Sequence, residues 1–413
     1  MCKLMNRRRS IQWVRAMKNS DADKIKVLRI INRFNIGGPT YNVTFLSAFL
    51  SDDFETMLVG GLPEEGESDS LHIPEKYGVK PVLIREMVRK PNLRSDRLAY
   101  QHLKKIIREY QPDIVHTHAS KAGALGRKAA ASCGVPVIVH TFHGHVFHSY
   151  FGKLKTKLFK LIERSLAKKS TGIIAISNLQ KKELSMEHRI CPAEKIKVIP
   201  LGFDLMPFQE RRKQERESVR QKYGLNPDEI AIAIIGRLAG IKNHLFFLDV
   251  VDEVLEKTTK KLKIFIVGDG PEKENIETHV SSINGKYNNA IVMTSWIQDI
   301  GTFNAGMDLI CLTSKNEGTP VSLIEAQASN IPVITTDVGG VRDVVDDGLT
   351  GYIVPKGDKK TYVERLLELC ENEKKREKMS QNGWNFVKEK FHYSRLVEDV
   401  ENYYRDLLSK VKK

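Results

Sequence analysis

The chain has 413 residues, 41% hydrophobic and 28% charged, a composition typical of a globular protein with two or three domains. It contains no run near the roughly 20 apolar residues of a membrane-spanning helix, and its N-terminus lacks the apolar core of a signal peptide, so we predict a cytoplasmic protein. The formal net charge of +15 indicates an anionic partner and leaves nucleic acid, anionic lipid and phosphorylated substrates open.

The cysteines indicate reduced thiols rather than a disulfide framework or a zinc site. Their number is odd, they lie far apart in the sequence, and none belongs to a C-x-x-C pair. They are Cys2, Cys133, Cys191, Cys311 and Cys370.

Residues 1–24 are polar and basic, with few apolar interruptions. Chain termini are usually disordered unless they are tied down. We predict a flexible basic leader here, and a helix that binds a surface is the alternative.

Residues 25–203 read as one doubly wound domain. Near-continuous apolar runs alternate with helical segments, which is typical of a parallel sheet covered on both faces. The runs span residues 26–34, 56–59, 79–84, 113–115, 135–139, 172–176 and 196–199.

A second doubly wound domain is predicted over residues 204–385, after a basic linker. The same rhythm restarts there, and the fold class is therefore α/β with two Rossmann-like parallel-sheet domains. The runs span residues 230–236, 262–267, 290–293, 307–312, 331–334 and 351–354. Residues 386–413 are helical and highly charged.

Two glycines, Gly37 and Gly38, separate the first strand from a helix that begins near Thr40. A glycine pair at a helix N-terminus lets backbone amides approach a phosphate or sugar. A simple tight turn explains the same residues equally well.

Histidines cluster after two strands of the first domain. The H-x-H pair at 116 and 118 places both rings on one strand face, so a metal site has to be considered. The cluster has no cysteine or carboxylate at ligand spacing, and we predict no metal. Its members are His116, His118, His140, His143, His145 and His148.

An amphipathic helix is predicted around residues 151–169, with leucines on one arc and lysines opposite. We expect the apolar arc to pack on the domain's own sheet. The alternative is a basic amphipathic surface at an anionic membrane.

Two cations in the second domain, Arg237 and Lys242, leave one strand-to-helix loop beside Gly236. Arginine offers a planar fork and lysine a point charge, so together they can hold a diphosphate. Taken alone, the two side chains also fit a solvated surface.

The turn at Gly268 and Gly270 begins like a dinucleotide fingerprint, but Lys273 stands where the third glycine is required. No acidic ribose ligand ends a following strand, and no G-x-x-x-x-G-K-[ST] loop occurs anywhere. A nicotinamide cofactor and a P-loop enzyme are therefore unsupported.

A pair of acids seven residues apart, Glu317 and Glu325, flanks a predicted helix start at Pro320. Proline suits the first helical turn because its missing N–H has no intrahelical partner there. The neighbouring amides can face an anion, while both carboxylates reach one ligand. Acids at a helix start are also common for dipole reasons alone.

This pattern, with the Gly-Arg-Leu…Lys loop and the Thr-Phe-His-Gly turn that ends at residue 144, resembles retaining glycosyltransferases of family 4 with the GT-B fold. The resemblance covers nearly all residues after 24. It implies transfer from a nucleoside-diphosphate sugar, with UDP the expected nucleotide, to a saccharide or lipid-linked acceptor, without a cofactor or catalytic metal. It also suggests that the last helix crosses back to the first domain.

The resemblance further implies roles for individual residues. His143, Arg237, Lys242 and Glu317 are the expected catalytic residues, and His118 and His145 lie on the acceptor side. Expected donor and nucleotide contacts are Gly37, Gly38, Gly236, Gly268, Gly270, Gly318, Thr319, Val321 and Glu325.

Two rival functions stay open. A nucleotide-sugar epimerase shares the fold but uses no acceptor. A basic nucleic-acid-binding protein would use the positive charge, but the chain has no stacking motif or recognition-helix signature.

Overall fold

The computed structural model describes residues 24–35, 38–63, 70–88, 92–143 and 153–411. These form two compact units. One combines the chain up to residue 202 with the segment from 393 onwards, and the other comprises residues 203–392.

The first unit contains a seven-stranded parallel sheet in the order β3-β2-β1-β4-β5-β6-β7. The strands are β1 (Ile25–Arg33), β2 (Phe54–Gly61), β3 (Val82–Leu83), β4 (Ile114–His118), β5 (Val137–Phe142), β6 (Gly172–Ala175) and β7 (Ile196–Val198). The central strands are buried along their length, as their apolar runs require.

Helices cover both faces of this sheet. They are α1 (Gly38–Ala48), α2 (His72–Lys76), α3 (Leu93–Tyr110), α4 (Ser120–Ser132), α5 (Lys153–Lys169), α6 (Asn178–Lys182) and α15 (Tyr393–Val411). Side chains of α3 and α4 share a core with Ile138, whereas α15 packs against Val137 on the opposite face. The alternation of neighbouring strand residues thus separates the two helix layers.

The second unit contains a six-stranded parallel sheet in the order β10-β9-β8-β11-β12-β13. Its strands are β8 (Ile230–Ile235), β9 (Leu262–Val267), β10 (Ile291–Thr294), β11 (Leu309–Leu312), β12 (Val333–Thr336) and β13 (Gly351–Val354). Its helices are α7 (Met206–Lys222), α8 (His244–Lys257), α9 (Lys273–Lys286), α10 (Ile300–Ala305), α11 (Val321–Ala328), α12 (Val341–Val344), α13 (Lys359–Glu371) and α14 (Glu373–Phe391).

The prediction of two doubly wound domains is confirmed, and strand ends differ by a few residues. The charged C-terminal segment is two helices rather than one, because the chain turns extended at His392. In the described part of the chain, no helix is both long enough and apolar enough to cross a membrane.

One packing expectation for the first unit is wrong in part. Leu166 of the predicted apolar arc is buried, but Leu158 and Leu161 of α5 are 57% and 51% exposed, although the arc was expected to face the sheet. The helix is turned instead so that Glu163 and Leu166 point inward. Glu163 forms an ion pair at 2.7 Å with the buried Arg127 of α4. This pair fixes which side of α5 faces the core.

Candidate functional site

The second sheet changes its direction of growth between β8 and β11. From β8 the chain adds β9 and β10 on one side, and from β11 it adds β12 and β13 on the other. Ligands of open parallel sheets bind at such a switch point, beyond the carboxyl ends of the strands. The loops 236–243 and 313–320 leave the sheet here and carry Arg237, Lys242 and Glu317.

Lys242 and Glu317 form an ion pair across the switch point. Lys242 Nζ donates to Glu317 Oε1 at 2.6 Å, and both side chains are mostly shielded from solvent. The two loops lie side by side because β8 and β11 are hydrogen-bonded neighbours, with Ile234 opposite Cys311. Two residues that are 75 positions apart in sequence thus come together.

A second donor orients the Glu317 carboxylate. Ser314 is fully buried, and its Oγ donates to the same Oε1 at 2.6 Å. Thr336, at the end of β12, donates to the Ser314 carbonyl at 2.8 Å. Oε2 of Glu317 accepts no hydrogen bond from the described residues, so it is available to a ligand hydroxyl.

The loop after β8 is anchored to the end of β11 through its backbone. Thr313 Oγ1 donates to the carbonyls of Lys242 and Asn243 at 3.2 and 3.1 Å. The Lys315 amide donates to the Ile241 carbonyl at 2.7 Å. These bonds fix the position from which the Lys242 side chain extends.

Gly236 and Gly268, both expected at the nucleotide, lie directly against each other. A Cβ at Gly268 would stand 2.0 Å from the Gly236 carbonyl oxygen, and φ there is +144°. A Cβ at Gly270 would approach the Leu238 carbonyl oxygen within 2.4 Å. The turn after β9 therefore closes on the loop after β8 only without side chains.

The loop after β12 brings Gly339 and Gly340 against Glu317 and Gly318. A Cβ at Gly339 would stand 1.7 Å from the Glu317 carbonyl oxygen, and φ is +54°. The Gly340 amide donates to that same carbonyl at 3.1 Å. Sequence reasoning missed this glycine pair, although a Gly-Gly step after a buried strand was the available signal.

The start of α11 presents backbone amides to the same edge. Pro320 stands one position before the first helical residue, Val321, rather than inside the first turn as predicted. The amides of Gly318 and Thr319 donate to no partner within the part of the chain that the structure describes. The amides of Val321 and Ser322 have no intrahelical acceptor either, so this helix start can bind an anion.

Glu325 lies one turn inside α11 and is partly buried. Burial raises the pKa of its carboxyl to about 7. Its carboxylate oxygens make no hydrogen bond to the described residues. This carboxyl group is partly neutral near pH 7. A ligand that donates hydrogen bonds to the ionised carboxylate therefore stabilises the charged form and lowers the pKa.

Two further side chains at this edge of the sheet, Arg237 and His244, can donate hydrogen bonds to a ligand. Arg237 is exposed and forms no ion pair within the described ranges. His244, the first residue of α8, is buried, and neither ring nitrogen has a partner there. Burial, with the Lys242 ammonium second, lowers the pKa of His244 to about 4.

In the first unit, His118 and His143 form a pair at the ends of β4 and β5. His118 Nδ1 lies 2.9 Å from His143 Nε2. Burial lowers the pKa of His143 to about 4 and that of His118 well below its usual range. Both imidazoles are therefore neutral at pH 7, and one of the two nitrogens donates to the other.

A neighbouring histidine, His116, links β4 to α15. Its Nδ1 lies 2.6 Å from Tyr404 Oη, and its Nε2 lies 2.7 Å from Thr141 Oγ1. The buried Arg29 guanidinium donates to the same tyrosine hydroxyl at 3.5 Å. The described residues contain no cluster of three metal-ligating side chains.

The remaining expected contacts of the first unit are Gly37, Gly38 and His145. Gly38 is the first residue of α1, at the carboxyl side of β1. Gly37 and His145 lie outside the described residues.

Known proteins resemble this chain along most of its length. Residues 215–386 match the pattern of the glycosyl transferases group 1, and residues 37–206 match that of Glycosyltransferase Family 4. The capsular polysaccharide biosynthesis glycosyltransferase CapM of Staphylococcus aureus is 30% identical over 305 residues, which cover 72% of this chain and 78% of CapM. The chain belongs to glycosyltransferase family 4.

A further relative of this family 4 glycosyltransferase is the UDP-Gal:alpha-D-GlcNAc-diphosphoundecaprenol alpha-1,3-galactosyltransferase of Escherichia coli. It is 29% identical over 333 residues, which cover 80% of this chain and 84% of the relative.

Two solved structures share the fold of the family 4 glycosyltransferase. A glycosyltransferase from Rickettsia africae superposes with a TM-score of 0.76 at 18% identity and covers 94% of this chain and 99% of its own. HepE of Anabaena, in complex with UDP and glucose, also superposes with a TM-score of 0.76, at 17% identity, and covers 92% of this chain and 100% of its own. The two-domain GT-B fold is thus established.

Proposed function

We propose that this glycosyltransferase moves a hexosyl unit from a UDP-sugar to a lipid-linked saccharide, with retention of configuration, in the synthesis of a cell-surface polysaccharide or glycolipid. The observation that carries the donor half is the Lys242–Glu317 pair at the switch point of the second sheet. Relatives that act on UDP-galactose and a diphosphoundecaprenol acceptor, or in capsule synthesis, support the substrate class.

The charge that develops on the leaving diphosphate is the largest change in the reaction, so preorganised donors should dominate catalysis. Arg237, Lys242 and the amides at the start of α11 supply them. With these cations present, we propose that no catalytic metal is needed. Glu317 Oε2 accepts the hydroxyls of the donor sugar, and Glu325 accepts those of the ribose.

The remaining donor and acceptor contacts are proposed from the family resemblance. His143 assists at the sugar, and His118 and His145 belong to the acceptor side. In the second unit, the proposed nucleotide contacts are Gly236, Gly268, Gly270, Gly318, Thr319 and Val321. The resemblance alone implies that Gly37 and Gly38 of the first unit contact the phosphates. A lipid-linked acceptor places the enzyme at the inner face of the cell membrane.

The direct test is product analysis of the purified chain. UDP-hexoses are incubated with and without a diphosphoprenol-linked saccharide, and products are identified by mass spectrometry and by NMR of the anomeric proton. We expect acceptor-dependent release of UDP and an α-linked product from an α-linked donor. Free sugar formed equally without an acceptor would identify an epimerase instead.

Replacing Ser314 with Ala should lower kcat about tenfold and leave the donor KM nearly unchanged. The substitution removes one of two hydrogen bonds to Glu317 Oε1 and leaves a rotatable carboxylate beside the sugar. Such positioning losses act in the transition state more than in binding. Steady-state kinetics measure this, with the exposed Ser281→Ala as the matched control; a change in KM alone would contradict the positioning role.

UDP affinity should rise between pH 6 and pH 8. Burial holds the pKa of Glu325 near 7, and hydroxyls of the ribose donate better to the ionised carboxylate, so nucleotide binding competes with the proton. Calorimetric titration at several pH values measures the slope, and Glu325→Gln should remove it while weakening binding. Wild-type affinity that does not vary over this range would contradict the ribose role.

The raised pKa of Glu325 also predicts how the stability of the ligand-free protein depends on pH. Its pKa in the folded protein lies above the unfolded value, so the folded state binds the extra proton between about pH 4.5 and 7. The carboxyl group therefore lowers the free energy of unfolding as pH rises through this window. Glu325→Gln should be relatively more stable than wild type at pH 8 than at pH 4.5, by thermal unfolding.

A further inference from the structure

The solvent face of α5 carries an unusual pair of exposed leucines. Leu158 and Leu161 are 57% and 51% exposed and lie on one side of the helix. At 100° per residue, Lys157 and Lys168 fall on the same side, and both are exposed. The outer side of the helix is thus apolar along its middle and basic beside it.

This orientation is imposed by the packing beneath the helix. Leu166 and Ala167 are buried in the core below α5, and Glu163 is tied to the buried Arg127. A turn of the helix that hid the leucines would bring Glu163 to the surface and leave Arg127 without its partner, at a cost of several kcal/mol. The leucines are therefore held outward.

The charge around this face has one sign. Glu163 is the only acid among residues 153–169. Because it is buried and paired with Arg127, the solvent side of α5 carries no carboxylate. Six lysines and one arginine share this helix. An anionic surface would therefore meet cations without a repelling group.

The outer side of α3 extends the same positive surface. α4 contacts both α3 and α5 and lies between them. The exposed cations of α3 are Arg94, Arg97, Lys105 and Arg108. Both acids of α3 pair with lysines, Asp96 with Lys121 at the edge of α4 and the exposed Glu109 with Lys105, so the positive excess of this side rests on Arg94, Arg97 and Arg108.

We propose that the outer sides of α5 and α3 form a docking face for an anionic lipid bilayer, with Leu158 and Leu161 entering the boundary of headgroups and acyl chains. Exposed leucines on a basic helix bind an interface through both apolar burial and attraction to lipid phosphates. A second copy of the chain would set like charges against each other, and a nucleic acid would leave the leucines in water.

The inference rests on the proposed function, because it supplies the surface from which a lipid-linked acceptor would be taken. Its test is separate from that function. Cosedimentation of the full-length chain with vesicles of phosphatidylcholine, with or without 30 mol% phosphatidylglycerol, measures docking without substrate. Transfer to a water-soluble saccharide acceptor measures catalysis without docking.

We expect binding to the anionic vesicles that exceeds binding to phosphatidylcholine at least tenfold and weakens with salt. Leu158→Ser with Leu161→Ser should lower the partition coefficient roughly tenfold, and each of Lys157→Gln and Lys168→Gln about fivefold. None of these variants should change transfer to the soluble acceptor. The matched control joins Leu349→Ser with Lys260→Gln, exposed residues of the second unit.

The docking face is overturned if wild type fails to bind anionic vesicles, or if the leucine variant binds them as well as wild type does. It is also overturned if the leucine substitutions convert a dimer into a monomer in sedimentation velocity without vesicles, which would assign the face to a second copy. A fourth contrary result is RNA binding that is tighter than vesicle binding and that is lost in the lysine variants alone. Inactive wild type that still binds vesicles would refute the proposed function and leave the docking face standing.

Discussion

Replacing Lys242 with Ala is expected to lower kcat about 100- to 1,000-fold, the range typical of losing one preorganised donor at a developing negative charge. The side chain has one observed role and one proposed role. It neutralises Glu317 through an ion pair at 2.6 Å, and we propose that its ammonium group also binds the leaving diphosphate. Without it, a mostly shielded carboxylate remains next to the phosphates and repels them.

The two roles can be separated by a double-mutant cycle. In Lys242→Ala with Glu317→Gln, the repulsion is gone, so the donor KM should recover relative to Lys242→Ala while kcat stays low. Arg237→Ala should lower kcat by a smaller factor, about 10- to 100-fold, because the exposed Arg237 guanidinium pairs with no carboxylate among the described residues and its loss leaves no buried charge behind. Initial rates and circular dichroism measure activity and folding, with Lys260→Ala as a surface control; near-normal turnover of Lys242→Ala would refute the leaving-group assignment.

Replacing Gly339 with Ala is expected to lower the free energy of unfolding by about 2–4 kcal/mol and to abolish most UDP binding. The new Cβ would stand 1.7 Å from the Glu317 carbonyl oxygen at a φ of +54°, so the loop after β12 has to move away from Glu317 and Gly318. The amides at the start of α11 would move with them. Chemical denaturation and calorimetry measure the two effects.

Two other glycines separate the steric effect from the conformational one. Gly348 has a φ of +78° but open space around its Cβ position, so Gly348→Ala should cost only about 1–2 kcal/mol and leave UDP binding intact. Gly240 has open space and no positive φ, and Gly240→Ala should be nearly neutral. If all three variants bind UDP equally well, the close approach at Gly339 does not shape the site.

The sequence was sufficient for the fold because the central strands of both sheets are buried on both sides and therefore read as apolar runs. Ile230 to Ile235 is one such run, and β8 coincides with it. The pairing of Lys242 with Glu317 follows from strand order, which the run pattern alone does not give. The family resemblance assigned both residues to one site but predicted no ion pair between them, and the 2.6 Å contact comes from the structure.

What the sequence could not indicate depends on contacts between distant segments. Gly339 and Ser314 matter here through the backbone and carboxylate of Glu317, and neither stands in a motif that names this role. The rotation of α5 was mispredicted for a similar reason. Its apolar arc suggested burial. Which side of α5 faces the core is set instead by the ion pair between Arg127 of α4 and Glu163 of α5, two residues that are 36 positions apart in the sequence.

The return of the last helix to the first sheet sets an order for biosynthesis. Arg29 and His116 lie in strands that leave the ribosome early, yet the hydroxyl that both contact belongs to Tyr404. At about 5–20 residues per second, α15 emerges well after the strands that it covers. Until then, the part of that sheet face around Val137 and Val139 lacks the side chains of α15 that bury it, while residues 203–392 can already fold. A nascent chain arrested before Tyr393 should therefore depend on chaperones through its N-terminal part and not through its second unit.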